Sequence, residues 1–160
     1  MMRTAVIAVA GCLAFLSGCA PQSTQDFDPN DPVALAAIDS LMAIAIAGAA
    51  NVDPVRVLEP MGGGEDFTLV TGDVILTGLE RVQEAFTDTY DGLLEQQQTI
   101  YKTRTRLLTP DVAVVTVVGE GTYTDLAGWT SEPVGLGLTI VFVREDGRWV
   151  GRHVHQSITN

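Results

Sequence analysis

Asp146-Gly147-Arg148-Trp149-Val150-Gly151-Arg152-His153-Val154-His155-Gln156-Ser157 closes the chain, and the fold is read outward from this stretch. An Asp-Gly pair ahead of an alternating run is a hairpin-turn signal, and the run it opens is a strand. Side chains alternate along a strand, so strict alternation places Trp149, His153, His155 and Ser157 on one face. Three long β-type runs precede this strand, at 99–108, 112–123 and 134–144. They pair most simply as an antiparallel set ending in the quoted stretch.

The first half of the chain supplies the helices. Asp31-Pro32 joins an N-cap carboxylate to a proline at the first helical position. The helix it starts runs to about Ala50, with Leu35, Ile38, Met42 and Ile46 on one stripe and Leu41 and Ile44 widening it. Asn51-Val52-Asp53-Pro54 stops that helix, and Pro54 opens a short second one to about Leu58. Gly62-Gly63-Gly64 bends before a hairpin of strands at 66–71 and 74–76, turned by Gly72-Asp73. No Lys-Ser/Thr pair or GxGxxG spacing accompanies the three glycines, which speaks against a phosphate cradle. Thr77-Gly78-Leu79-Glu80 has the spacing of a capping box. The third helix then carries Leu79, Val82, Phe86, Tyr90 and Leu93 on one face. The order α-α-β-β-α-β-β-β-β gives an α+β domain with helices against one mostly antiparallel sheet.

At 160 residues the chain has room for one domain. Residues 1–18 read as a signal peptide: a basic start at Arg3, an apolar run of about a dozen residues too short to span a bilayer, then Leu16-Ser17-Gly18-Cys19. This small-residue run ending on cysteine resembles the lipobox of bacterial lipoproteins. The resemblance implies cleavage before Cys19, lipidation of Cys19, and a place in the bacterial cell envelope. Ala20 after the cysteine implies, by the same analogy, the periplasmic side of the outer membrane in a two-membraned cell. The plainer alternative is a secretory signal with an incidental cysteine. Cys12, the only other cysteine, lies inside the segment to be removed, so the mature chain has no second thiol for a disulfide or metal site. Residues 19–30 form the lipidated cysteine and a Pro-Gln-Ser-Thr-rich tether, and 31–160 the folded domain.

Nine Lys+Arg against twenty Asp+Glu give a net charge of −11, and removal of Arg3 takes the mature chain to −12. Such a chain repels phosphate backbones, so nucleic acid is not an expected partner.

The element order and closing strand resemble the SnoaL-like, or nuclear transport factor two-like, superfamily. That family folds three N-terminal helices onto a strongly curved sheet, making a cone with a pocket inside. The closing Asp146-Gly147-Arg148-Trp149 with His153, His155 and Ser157 is similar to the last strand of the calcium/calmodulin-dependent kinase association domain. Thr77-Gly78 and Pro110-Asp111-Val112-Ala113 also match family features. Fold does not transfer function, since this superfamily hosts isomerases, cyclases, dehydratases and inert hubs. Ketosteroid isomerase-like members use a tyrosine from the first helix, where this chain offers only Asp39 and Ser40 as polar side chains. The kinase-type hub has pocket arginines, and the matching positions here are Gly119 and Ile140. The resemblance therefore implies an apolar pocket lined by Val117, Gly119, Tyr123, Leu138, Ile140, Trp149 and His155.

His153 and His155 are the only histidines and the natural candidates for a general base, with Tyr90 or Tyr123 as hydrogen-bond donor to a developing enolate. The alternative is that they serve packing and the strand's exposed end. A metal at His-x-His needs a third ligand such as Glu65 or Asp66, and no supporting motif accompanies it. No metal and no cofactor is expected. Trp129, in a Gly-Trp-Thr-Ser loop, suits a rim or interface residue. Lys102, Arg104 and Arg106 share one strand face, more in keeping with a solvated or intersubunit surface than with an anion site. Residues 112–118 and 138–143 are apolar on both faces, so a homodimer through the outer sheet face is expected.

The sequence thus reads as a membrane-anchored, SnoaL-like lipoprotein binding a small apolar or amphipathic molecule in its cone. Two alternatives stay open: a cofactor-independent acid–base enzyme of isomerase, cyclase or dehydratase type, and a non-catalytic dimeric hub. Polarity deep in the pocket discriminates them.

Overall fold

The structure is a computed structural model and describes residues 27–159. The expected signal peptide, Cys19 and the expected tether as far as residue 26 lie outside the described residues. The tether's last residues form a turn in which the Asp28 carboxylate accepts from the Asn30 N–H at 2.8 Å.

Helix α1 spans Pro32–Ala50 and α2 spans Pro54–Leu58. Both begin as the sequence predicts: the Asp31 carboxylate accepts from the N–H groups of Val33 and Ala34, and Asp53 from those of Val55 and Arg56. The buried stripe of α1 is Ala34, Ile38, Met42, Ala45 and Ala49, with Leu35 and Leu41 packed at its edge. By length and a mean hydropathy of 2.0, α1 could cross a membrane. Its Ile38 and Met42 instead belong to the core formed with the sheet.

A 3-10 turn at Gly64–Asp66 occupies the ground where the sequence suggests a strand start, and β1 is confined to Thr68–Thr71. Strand β2 is Val74–Thr77 and α3 is Leu79–Tyr90. The expected capping box does not form. Thr77 is the last residue of β2, and Gly78 caps α3 at φ 93° with no side-chain hydrogen bond. Glycine suits this position because a Cβ would strain it.

Strands β3 (Leu93–Thr109), β4 (Val112–Asp125), β5 (Val134–Glu145) and β6 (Arg148–Thr159) follow. The six strands form one sheet in the order β2-β1-β6-β5-β4-β3. All neighbours are antiparallel except β1 and β6, which are parallel. The Asp146-Gly147 turn joins β5 to β6 with φ of 48° and 77°, the twin positive values that fit a tight hairpin.

The register defines the two faces. On the inner face, Val154 pairs with Ile140, Ile140 with Val115, and Phe142 with Ala113. These residues are buried with Ile38, Phe67 and Trp149 in a single core. The ladder slips once in β6, where Gly151 pairs with Phe142 and His153 with Val141, leaving Arg152 as an extra residue. Such a bulge shifts the alternation by one position. Trp149 and Gly151 therefore face inward before it, and Val154, Gln156 and Ile158 after it. His153, His155 and Ser157 take the outer face, opposite to the side read from strict alternation.

Candidate functional site: an uncharged cavity within the cone

Between the helices and the inner sheet face lies a cavity of about 540 Å³, within the size range of small-molecule sites. Each layer contributes through its apolar stripe. Helix α1 gives Met42, Ala45, Ile46 and Ala49, and α3 gives Val82, Phe86, Thr89 and Tyr90. The sheet gives Leu69 from β1, Val117 from β4, Leu138 and Ile140 from β5, and Val154 from β6.

The wall is graded along its depth. Leu69, Val154 and Ile140 share one rung of the ladder, and all three are apolar and buried. The next rung carries Thr71, Gln156, Leu138 and Val117. Further out, beyond Gly119, Gln98 stands opposite Gly121 and Gln96 opposite Tyr123. Uncharged amides and hydroxyls thus begin one rung out from the apolar floor and continue outward, interleaved with Leu136, Ile158 and Val134. Among the described residues, the lining contains no aspartate, glutamate, lysine, arginine or histidine.

Tyr90 closes the site from the helix side. Its ring meets Phe86 edge to face at 5.6 Å and 81°, and burial pushes its phenol up to about 12 because the phenolate loses solvation. Gln96 lines the same cavity, and its Oε1 is buried without a hydrogen-bond partner among the described residues. At the outer end Tyr123 meets the exposed Trp129 edge to face at 6.0 Å. The β4–β5 loop holds Trp129 there: its N–H donates to Asp125 Oδ1 and its carbonyl accepts from the Asp125 N–H, both at 2.9 Å.

The residues singled out from the sequence separate into two groups. Val117, Tyr123, Leu138, Ile140 and Tyr90 line the cavity. Gly119, Trp149, His153 and His155 do not. Gly119 lies on the inner face but is buried where β3 crosses closely, so that a Cβ would collide with the Thr99 carbonyl. Trp149 is solid core, capped by the Arg144 guanidinium 4.8 Å from its ring. His155 is exposed and His153 half-buried on the outer face, displaced by the Arg152 bulge. Neither shares the cavity with Tyr90, and the expected imidazole–tyrosine pairing does not form. Glu65 and Asp66 sit in the 3-10 turn, and no cluster of potential metal ligands occurs among the described residues. Lys102, Arg104 and Arg106 are exposed, and their partners across the ladder are Val118, Thr116 and Val114.

Sequence reasoning missed the glutamines. Gln96-Gln97-Gln98 precedes the strand as first drawn from residue 99, but β3 begins at Leu93. Alternation carried six residues further upstream brings Gln96 and Gln98 inside.

Residues 68–160 match the family described as the calcium/calmodulin dependent protein kinase II association domain. The chain belongs to this family. The association domain's matched span begins at β1 and runs through β6, so it covers the whole sheet and α3 and leaves α1 and α2 outside. A Xanthomonas campestris structure described provisionally as such an association domain is 25% identical, with a TM-score of 0.60, over 81% of this chain and 88% of that one. A nuclear transport factor 2-like superfamily protein from Salmonella enterica serovar Typhimurium aligns at a TM-score of 0.68 and 13% identity, over 77% and 89% of the two chains. A ketosteroid isomerase-like protein from Erwinia carotovora atroseptica aligns at 0.65 and 18% identity, over 79% and 96%. The latter two show the fold alone: an association domain built as a nuclear transport factor two-like cone. No curated protein matches the chain.

Proposed function

We propose that this association-domain protein is a lipid-anchored envelope protein whose cone holds a small apolar or amphipathic molecule. The observation that carries the reading is the cavity itself: about 540 Å³, apolar at depth and uncharged throughout its described lining. Burial of apolar ligand surface against such a wall supplies about 25 cal/mol per Å² before the costs of binding. An acid–base reaction needs a proton acceptor beside the substrate. The described lining offers neither carboxylate nor imidazole, so binding is favoured over catalysis. The envelope location rests on Leu16-Ser17-Gly18-Cys19, and more than one acyl chain on Cys19 gives stable anchoring.

Native mass spectrometry of the protein released from its own membranes tests the reading. A reproducible extra mass that disappears on delipidation is the expected result. Ligand-free protein that also fails to take up the neutral dye Nile red would overturn it. In the same preparation, Cys19→Ala is expected to move the protein from the membrane to the soluble fraction.

A second reading concerns assembly. Val112, Val114, Val118, Val141 and Val143 share the outer sheet face, bordered by Arg104 and Arg106. Val118 is 50% exposed and Ile75 66%. A homodimer would cover this face, which the helices on the other side cannot reach.

A further inference from the structure

The binding reading leaves the chemistry of the guest open, and the polarity of the wall narrows it. The geometry points to a neutral amphiphile with a hydrogen-donating head, a hydroxyl or amide, read by Gln96 while its apolar body fills the inner rungs. This inference rests on the binding reading above and goes beyond it.

Three observations carry it. First, the innermost rung carries no polar side chain, whereas Thr71 and Gln156 follow on the next one. Gln96, Gln98 and Tyr123 stand on the outer rungs, beyond the apolar rung of Leu69, Val154 and Ile140. A guest with one polar end is best matched with its apolar end against the inner rung and its head toward the glutamines.

Second, the groups are uncharged. An anionic head would enter low-dielectric surroundings without a cation among the described lining residues, inside a chain of net charge −11. A cationic head would find no carboxylate there. Tyr90 adds no charge either, its phenol being neutral at physiological pH and pushed further from ionisation by burial.

Third, one acceptor is already waiting. Gln96 Oε1 is buried and has no partner among the described residues, and buried polar atoms ordinarily find one. The terminal torsion of glutamine is broad, so a small rotation offers this oxygen to the cavity that Gln96 lines. A guest O–H or N–H donated to it removes the cost of leaving it unsatisfied. An ether or an ester oxygen cannot.

The test uses the soluble Cys19→Ala protein with four probes on one chain length: tetradecanol, tetradecyl methyl ether, tetradecanoate and tetradecyltrimethylammonium. Each is titrated at pH 8 against bound Nile red, below the micellar range. The alcohol is expected to bind about tenfold more tightly than the ether, and both more tightly than either ion, as one neutral hydrogen bond in a dry site predicts. In Gln96→Leu the alcohol's advantage over the ether should disappear. Equal binding of alcohol and ether by the unmodified protein, or preference for either ion, overturns the head-group inference and leaves the binding reading standing. Failure of all four probes and of the dye overturns both. Should Gln96→Leu not fold, the alcohol–ether comparison in the unsubstituted cavity still decides, and Gln96→Met repeats the variant arm at similar volume.

Discussion

Tyr90 is held where its phenol ionises with difficulty, and that has a consequence for stability. Its pKa is raised from 10.0 to about 12 by burial. Between those values the folded chain keeps a proton that the unfolded chain has released, so folding stability falls as pH rises through the window. Tyr101 is also raised, through its hydrogen bond with Glu120, so the comparison must isolate Tyr90. Tyr90→Phe should show a shallower loss of denaturation midpoint between pH 10 and 12 than the parent, and an unchanged slope would argue against a buried phenol. Trp149 makes the complementary case. It is 7% exposed, packed in the core and covered by Arg144, whose Nε lies 3.7 Å from Asp111. Trp149→Ala should cost about 3–5 kcal/mol by chemical denaturation. A nearly unchanged midpoint would place the ring at a surface.

At the scale of the element, one extra residue decides which side chains enter the cone. Reading Trp149, His153 and His155 as one face assumes an unbroken strand. The Arg152 bulge breaks it, and Arg152 is retained there by an ion pair with Glu145. Nothing in Gly151-Arg152-His153 announces this, because a bulge depends on what the neighbouring strand and loop do. Gly151 donates its N–H to the Pro60 carbonyl and accepts from the Gly62 N–H, so the loop before the 3-10 turn pins the strand there. The β3–β4 pair offers a similar lesson. A register shift between Ile100 and Lys102 lies beside Gly119, where an added Cβ would meet the Thr99 carbonyl and Ile100. Gly119→Ala puts a methyl group against backbone that cannot rotate away. A loss of about 1–3 kcal/mol in thermal or denaturant unfolding is expected, and a variant as stable as the parent would show that the two strands can part.

For the whole molecule, the sheet has two unequal faces. The inner one is sealed by α1 and α3 around the cavity, and the outer one presents valines, the two histidines and the arginine edge. If a second copy covers the outer face, Val118→Arg should disturb it without touching the cavity. Val118 pairs with Lys102 and Gly137 across the ladder, so the substitution adds a second cation to a surface that must be desolvated. Sedimentation velocity is expected to report a shift toward monomer, with Nile red binding retained. An unaltered sedimentation coefficient would remove this face from the interface.

Local chemistry in the chain determined the helix starts at Asp31-Pro32 and Asp53-Pro54, the turn at Asp146-Gly147, the four long strands and their α+β class. Caps, prolines and paired positive φ values act over a few residues and so are visible one segment at a time. The proposed envelope address rests on an equally local feature, the resemblance of Leu16-Ser17-Gly18-Cys19 to the lipobox. Tertiary structure alone decided which way the last strand turns its histidines and that Gln96 and Gln98 enter the cavity. Those outcomes depend on ladder register, and register is set by contacts between segments distant in sequence, where a slip of one residue exchanges the two faces of a strand.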